Sequence, residues 1–203
     1  MTEESIDQAI EKPKRSNMAL WVLTSSFLIP AILAYGYFYY GDRPAVKSNG
    51  VLIIPIVDIH SLNITDKSGN ELTEEELTPN WRMVYFVGSS CDKECQNSLY
   101  NMRQNNIAMG KYQDRVSHAI IHLAEPDKEF SELIKKEHSV AGHAYAKAES
   151  IQVLAKLEKD ENIMRSTYLI DPLGNIMMYF PQELAPKLIR KDINKLLKVS
   201  RLR

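Results

Sequence analysis

From Met18 to Tyr40 the chain carries no charged residue: Met-Ala-Leu-Trp-Val-Leu-Thr-Ser-Ser-Phe-Leu-Ile-Pro-Ala-Ile-Leu-Ala-Tyr-Gly-Tyr-Phe-Tyr-Tyr. About 20 apolar residues are enough for a helix to cross the hydrocarbon core of a bilayer. Lipid offers no hydrogen bonds, so such a segment must satisfy its own backbone as a helix. Trp21 lies near one end, and Tyr35, Tyr37, Tyr39 and Tyr40 crowd the other, as interfacial aromatic belts do. Pro30 and Gly36 are tolerated in a membrane helix. Two other readings compete. A soluble helix apolar on all sides would need burial on all sides. A cleaved signal peptide could use Ala34 and Gly36 as small residues, but the run exceeds the usual apolar region of about 7–15 residues. The expectation is an uncleaved anchor.

Lys12, Lys14 and Arg15 precede the run, against Arg43 and Lys47 after it. The bias places the short tail inside and the large domain outside. In a bacterium this means the inner (cytoplasmic) membrane, a single pass, and a periplasmic C-terminal domain. The expected division is a cytoplasmic tail over 1–17, a transmembrane helix over 18–40, a linker over 41–50 and one domain over 51–203.

The formal net charge is -1 and no basic stripe appears, so nothing points to a nucleic-acid partner. Roughly 150 residues beyond the linker suffice for one hydrophobic core. Val51–Ile59 is apolar and β-branched but contains Pro55, which removes a ladder donor and predicts an edge strand. Asp66-Lys-Ser-Gly69 predicts a turn. Arg82–Val87 is a continuous apolar run, as in a strand buried on both faces. A helix is expected from about Asp92 to Met109. Ser89 or Ser90 would cap it, and Gly110 would stop it. Val116–Leu123 predicts a strand, and Asp127–Glu137 and Tyr145–Lys159 predict helices. Ser166–Phe180 reads as two strands about Asp171-Pro-Leu-Gly-Asn, a hairpin signal. An amphipathic helix spaced by Leu184, Leu188, Ile189, Ile193, Leu196 and Leu197 ends the chain. The order β-α-β-α-β-β-α is the α/β arrangement of a thioredoxin-like domain: a central mixed sheet flanked by helices.

The only two cysteines, Cys91 and Cys95, fall where the first core strand passes into the first helix. A thiol there meets the free N–H groups and the dipole of the helix, which favour thiolate. Residues four apart on a helix share a face with Cα atoms about 6 Å apart, within reach of a disulfide. The same spacing offers two sulfurs to a soft cation such as Cu(I). Three readings stay open: a copper site or copper-linked redox pair, a thiol–disulfide exchange site, and a static staple. Zinc would need four ligands, and no second cluster is in register. A copper site needs a third ligand, for which His60, His118, His122, His138 and His143 are the candidates. Met102 belongs to the core by its spacing. Lys93 could favour a thiolate, but Asp92 and Glu94 oppose it.

A membrane anchor, a Cys-x3-Cys after the first core strand and Tyr168-Leu-Ile-Asp-Pro-Leu-Gly174 resemble the Sco/SenC proteins. The resemblance implies membrane attachment, a role in cytochrome c oxidase assembly, possible copper as cofactor, and oxidase subunits or assembly factors as partners. In that family the two cysteines and a histidine shortly before the Tyr-Leu-Ile-Asp-Pro strand hold copper. Here Asn162–Tyr168 contains no histidine, so the resemblance assigns only Cys91 and Cys95. Nor do prolines flank the cysteines, as they usually do in Sco proteins. The likeness is closer to a Sco-like group of proteobacterial membrane proteins. It is carried by Trp81, the two cysteines, Leu99-Tyr-Asn-Met-Arg-Gln104, Ala108-Met-Gly-Lys111, Asp114-Arg-Val116, Tyr168–Asn175, Asp192–Leu197 and Ser200-Arg-Leu. Thioredoxin-type oxidoreductases place a cis-proline where Ser166 stands. Arg103 and Gln104 read as helix surface, or as a contact with a partner or the opposite strand. The basic residues of the last helix read as a solvated face, with lipid headgroups as the other reading.

Overall fold

The computed structural model describes residues 17–40, 48–73, 76, 80–155 and 163–200. The expected tail up to residue 16 and most of the linker lie outside them. The chain divides into two compact units, Met1–Lys47 and Ser48–Arg203. In the first, α1 (Met18–Tyr40) has Pro30 inside it and apolar side chains turned outward. Its span Leu20–Tyr40 is long and apolar enough to cross a membrane, and none of it is buried.

The second unit is built on one six-stranded sheet in the order β1-β6-β5-β2-β3-β4. The strands are β1 (Val51–Asp58), β2 (Trp81–Val87), β3 (Val116–His122), β4 (Gly142–Tyr145), β5 (Thr167–Ile170) and β6 (Asn175–Phe180). β2, β3 and β4 run parallel, while β5, β6 and β1 pair antiparallel. This is the thioredoxin-like mixed sheet that the element order implies. The crossovers are α2 (Lys93–Ile107) and α3 (Lys128–Glu137), and α5 (Pro186–Val199) closes the chain. β2 sits in the middle and is buried on both faces, which is why it reads as an unbroken apolar run. Met83, Tyr85 and Val87 pack beneath α2 and α5 with Leu99, Met102, Ile120, Ile193 and Leu197. Val84 and Phe86 face the other way, onto Ile59, Leu62, Ile64, Ile151 and Leu154. β1 is an edge strand whose register slips between Leu52 and Val57, around Pro55.

One element departs from expectation. No helix starts at Tyr145. Gly142–Tyr145 forms β4, pairing with Ala119–His122, and only Gln152–Ala155 is helical (α4). Residues 156–162 lie outside the described residues. The helical spacing of Ile151 and Leu154 is real, and both are buried. The free edge of β3 nonetheless captures the preceding residues, a long-range pairing that local periodicity does not contain. Gly142 permits the approach: a Cβ there would come 3.3 Å from the Ala119 Cβ.

The turns follow their side chains. Asp171 Oδ1 accepts from the N–H groups of Leu173 (2.9 Å) and Asn175 (2.8 Å), and Gly174 takes φ +87°. Asp66 caps its own turn through Ser68 N–H (2.7 Å) and Asn70 N–H (2.8 Å). Two parts of the basic and acidic pattern have structural roles. The Arg115 guanidinium donates to the carbonyls of Leu197 (3.0 Å) and Ser200 (3.1 Å), closing the end of α5. Asp192, 3% exposed on α5, accepts from Asn49 Nδ2 (2.8 Å), Gly50 N–H (3.0 Å) and Ser48 Oγ (3.2 Å). It thus pins the start of the domain to its last helix. Asp192→Ala strands these donors in a buried place. It should destabilise the domain by about 3 kcal/mol, read as a lower denaturation midpoint, because each lost buried partner costs about 1–3 kcal/mol. A loss under about 1 kcal/mol would show that the clamp is incidental.

Candidate functional site

β2 leaves the sheet at Val87, and Gly88-Ser89-Ser90 carry the chain to Cys91. The loop is tied to the β3–α3 connection: Leu123 N–H donates to the Val87 carbonyl and Asp127 N–H to the Ser89 carbonyl, both at 2.8 Å. α2 begins at Lys93, and its cap is Asp92 rather than either serine. Asp92 Oδ1 accepts the Cys95 N–H at 2.8 Å. A cap side chain reaches the amides two or three residues on, and Asp92 to Cys95 is that step. The helix ends at Ile107; Gly110, at φ +56°, opens a separate short turn instead of stopping it.

Cys91 and Cys95 form a disulfide with Cα atoms 5.3 Å apart. This is closer than about 6 Å for residues four apart within a regular helix, because Cys91 stands one residue before the cap. Both are partly buried against the core beneath α2. Gln96 Nε2 donates to the Cys91 carbonyl at 3.0 Å and holds the segment against the helix. Met102 is core, 2% exposed, and Arg103 joins α2 to α3 by donating to the Glu137 carbonyl.

A hollow opens on each side of the disulfide. One, of about 290 Å³, has Cys91, Ser90, Gln96 and Phe130 in its walls and is rimmed by Asp127, Glu129, Glu132 and Lys136. The other, of about 160 Å³, holds Cys95 with Tyr85, Gly88, Met164 and Arg165, and is rimmed by Asp92 and Glu94. Carboxylates outnumber cations in both. Such a rim draws cations and disfavours anionic thiolates. Tyr85 meets the Ser98 hydroxyl, and burial is the main cause that pushes its phenol pKa up. Arg165 pairs with Glu94 at 2.5 Å and links the short turn Ile163–Arg165 to the first turn of α2.

That turn arrives here by register. β5 runs antiparallel to β2, with Tyr85 opposite Thr167. The ladder ends at that pair, and the turn just before β5 lies against the loop: a Cβ on Gly88 would come 4.0 Å from the Met164 methyl. The sequence marked Asn162–Tyr168 for its missing histidine but did not single out Met164 within it, because the nearness of Met164 to the cysteine loop depends on a strand pairing across a long separation. Ser166 is buried just before β5, and the only cis peptide bond among the described residues is Ile54–Pro55, on β1.

None of the five candidate histidines lines either hollow. His60 lies in the turn after β1. His118, His122, His138 and His143 gather at the β3–β4 edge. His122 Nε2 and His143 Nδ1 are 3.2 Å apart, and the His143 imidazole donates to the His138 carbonyl. Phe130 intervenes on the side of the cysteines, its ring 6.1 Å from His122 and its side chain in the wall of the Cys91 hollow. Among the described residues no three His, Cys, Asp or Glu side chains come together as a metal site. The available soft donors are the two sulfurs that reduction would free and the Met164 thioether, a set that suits Cu(I).

The histidine cluster has its own consequence. Burial, reinforced by neighbouring positive charge, pushes the pKa of His118 and of His122 down to about 4. Around them stand His138, His143, Arg103 and Lys67. In the unfolded chain both groups titrate near 6.5. Between those values the unfolded state binds more protons, so stability is full above pH 6.5 and falls as pH drops toward 4. We expect roughly 2 kcal/mol of loss between pH 7 and pH 4.5 from this pair, after discounting for solvent screening. Denaturant midpoints against pH for the wild type and for His118→Gln/His122→Gln check it. An equally steep pH slope in the double variant would remove these groups as the cause.

A family model described as a transmembrane-like, thioredoxin-like C-terminal domain matches residues 81–200. Among solved structures, copper-bound yeast Sco1 shares 18% identity at TM-score 0.53, covering 80% of this chain and 100% of that one. Copper-bound ScoI of Arabidopsis thaliana shares 15% at 0.52, covering 75% and 100%. Apo Sco1 of Thermus thermophilus shares 10% at 0.52, covering 77% and 100%. No curated protein matches the sequence. At these identities the structures establish a common thioredoxin-like fold of the Sco type. The chain belongs to the family of transmembrane-like proteins with a thioredoxin-like C-terminal domain.

Proposed function

We propose that this protein is a membrane-anchored, Sco-like accessory factor in cytochrome c oxidase assembly, and that Cys91 and Cys95 are its working residues. In this reading α1 is the anchor and the domain faces the periplasm. The observation that carries it is the Cys91–Cys95 disulfide, partly exposed between two acid-rimmed hollows at the end of β2. The likeness in fold to Sco proteins crystallised with copper supports the choice of cargo.

The chemistry is thiol–disulfide exchange. A client thiolate attacks one sulfur of the pair, and the other sulfur leaves with the bond's electrons and is protonated. The client's second thiolate then resolves the mixed disulfide. Two electrons pass to the pair, and the client dithiol becomes a disulfide; the reverse reduces a client. Asp92 holds the first turn of α2 in place through the cycle by keeping the Cys95 amide bonded. In the dithiol form the same two sulfurs, once deprotonated, offer Cu(I) a soft site for transfer. The acidic rim favours arrival of the cation over persistence of free thiolates.

The test is made on the full-length protein in detergent. Its disulfide potential should fall in the range of exchange proteins, roughly −270 to −120 mV. The reduced protein should take one Cu(I) against a competing chelator, and lose it in Cys91→Ser and Cys95→Ser. A potential below about −300 mV with no Cu(I) uptake would leave a structural staple. A potential in range without Cu(I) uptake would leave an oxidoreductase with other clients. Cells carrying Cys91→Ser should assemble less active oxidase, and full oxidase activity would sink the assembly role.

The proposed topology has a separate check. A membrane-impermeant maleimide should label the cysteines of reduced, intact spheroplasts. Labelling only after lysis would reverse the orientation.

A further inference from the structure

We infer that Met164 is the third donor to Cu(I) in the reduced protein, completing an all-sulfur site with Cys91 and Cys95. The inference rests on the copper reading above and adds a residue to it. Met83, Met102, Met109 and Met178 are all buried in the core, with exposures of 4% or less. Met164 is 37% exposed, and it lines the same hollow as Cys95. No imidazole lines that hollow.

Three features fix the side chain there. The antiparallel β2–β5 pairing brings the start of β5, with the turn Ile163–Arg165 just before it, to the end of β2 where Gly88 leads into the cysteine loop. Gly88 presents no side chain, so the Met164 methyl lies across it. Arg165 then ties the turn to Glu94 on α2, one residue before Cys95. An exposed ion pair of this kind adds little stability, under about 1 kcal/mol, but it specifies where the turn rests.

The donor type follows from the chemistry. Cu(I) is soft and accepts thiolate and thioether together. In the oxidised protein both cysteine sulfurs are committed to their bond, so the site exists only after two-electron reduction. A thioether carries no proton to lose, so any pH dependence of Cu(I) binding comes from the two thiols and none from the third donor. It is also neutral, so it adds no further anion beside Asp92 and Glu94.

The experiment compares full-length wild type, Met164→Leu and Met164→His in detergent, fully reduced, each titrated with Cu(I) against a chromogenic Cu(I) chelator. Leucine keeps the volume and apolar character of methionine, so folding should be little changed. Met164→Leu should bind Cu(I) at least about tenfold more weakly, since loss even of residues behind a metal's ligands costs 10–100-fold. X-ray absorption should count three sulfur neighbours in the wild type and two in the leucine variant. Met164→His should regain affinity, with a nitrogen in place of the third sulfur. Equal affinity and equal sulfur count in wild type and Met164→Leu would overturn the inference while leaving the cysteine pair as a copper site. If the reduced wild type takes no Cu(I), the copper reading itself fails, and this inference with it.

Discussion

The double burial of β2 sets the rest of the molecule. A strand apolar on both faces can lie only in the middle of a covered sheet. Its neighbours must then supply pairing on both edges and cover on both faces. β3 arrives by the α2 crossover and runs parallel, whereas β5 arrives from the far end of the chain and runs antiparallel. The consequence is asymmetric. At the C-terminal end of β2 the outgoing loop meets the incoming start of β5, and the hollow holding Cys95 and Met164 opens there. In α/β sheets, ligands bind outside the carboxyl ends of the strands where the connection changes direction. Here that opening holds a disulfide, a glycine and a thioether.

The local electrostatics run against a simple redox-enzyme picture. A helix N-terminus stabilises a thiolate through its free amides and dipole. In this protein the Asp92 carboxylate already takes the Cys95 amide, and Glu94, Asp127, Glu129 and Glu132 stand nearby. Each carboxylate opposes a second negative charge more than it opposes a neutral disulfide or a metal-bound thiolate. The surroundings therefore favour the states in which the sulfur charge is absent or compensated. Those are the oxidised pair, the protonated dithiol and the pair holding a cation.

Much of this was readable before any coordinates. The uncharged run predicted α1, the apolar run Met83–Val87 predicted β2, the apolar-rich Val116–Leu123 predicted β3, and Asp171-Pro-Leu-Gly predicted the hairpin, because in each case the signal is contained in adjacent residues. β4 was not readable. It is four residues long, begins with glycine and forms because the edge of β3 is free, so no local pattern announces it. The cap of α2 was misplaced by two or three residues, since Ser89, Ser90 and Asp92 are all good caps and only the path of the loop decides among them. Cys91 and Cys95 were evident by residue type. Met164 lies in the segment marked for its missing histidine, but its nearness to Gly88 comes from a strand pairing between residues far apart in sequence. For the histidines, residue type alone leaves a ligand reading open; in the fold His118, His122 and His138 are buried, two of them with pKa values pushed well below the usual one.

The surroundings of Gly88 do not depend on which side chain residue 164 carries. Residue 164 lies in the turn Ile163–Arg165, which is set by the β2–β5 pairing that follows it and by the Arg165–Glu94 pair. An imidazole there would bring a nitrogen that suits Cu(II) as well as Cu(I) and titrates near neutral pH. A thioether removes both properties. On the copper reading, the site would then depend on the redox state and the deprotonation of the two cysteines, since no protonation step competes at the third position and an all-sulfur set prefers the reduced ion. The disulfide and the metal exclude each other, because each requires the same two sulfurs. On that reading, oxidation of the pair would expel the cation, and reduction would be the condition for taking it up.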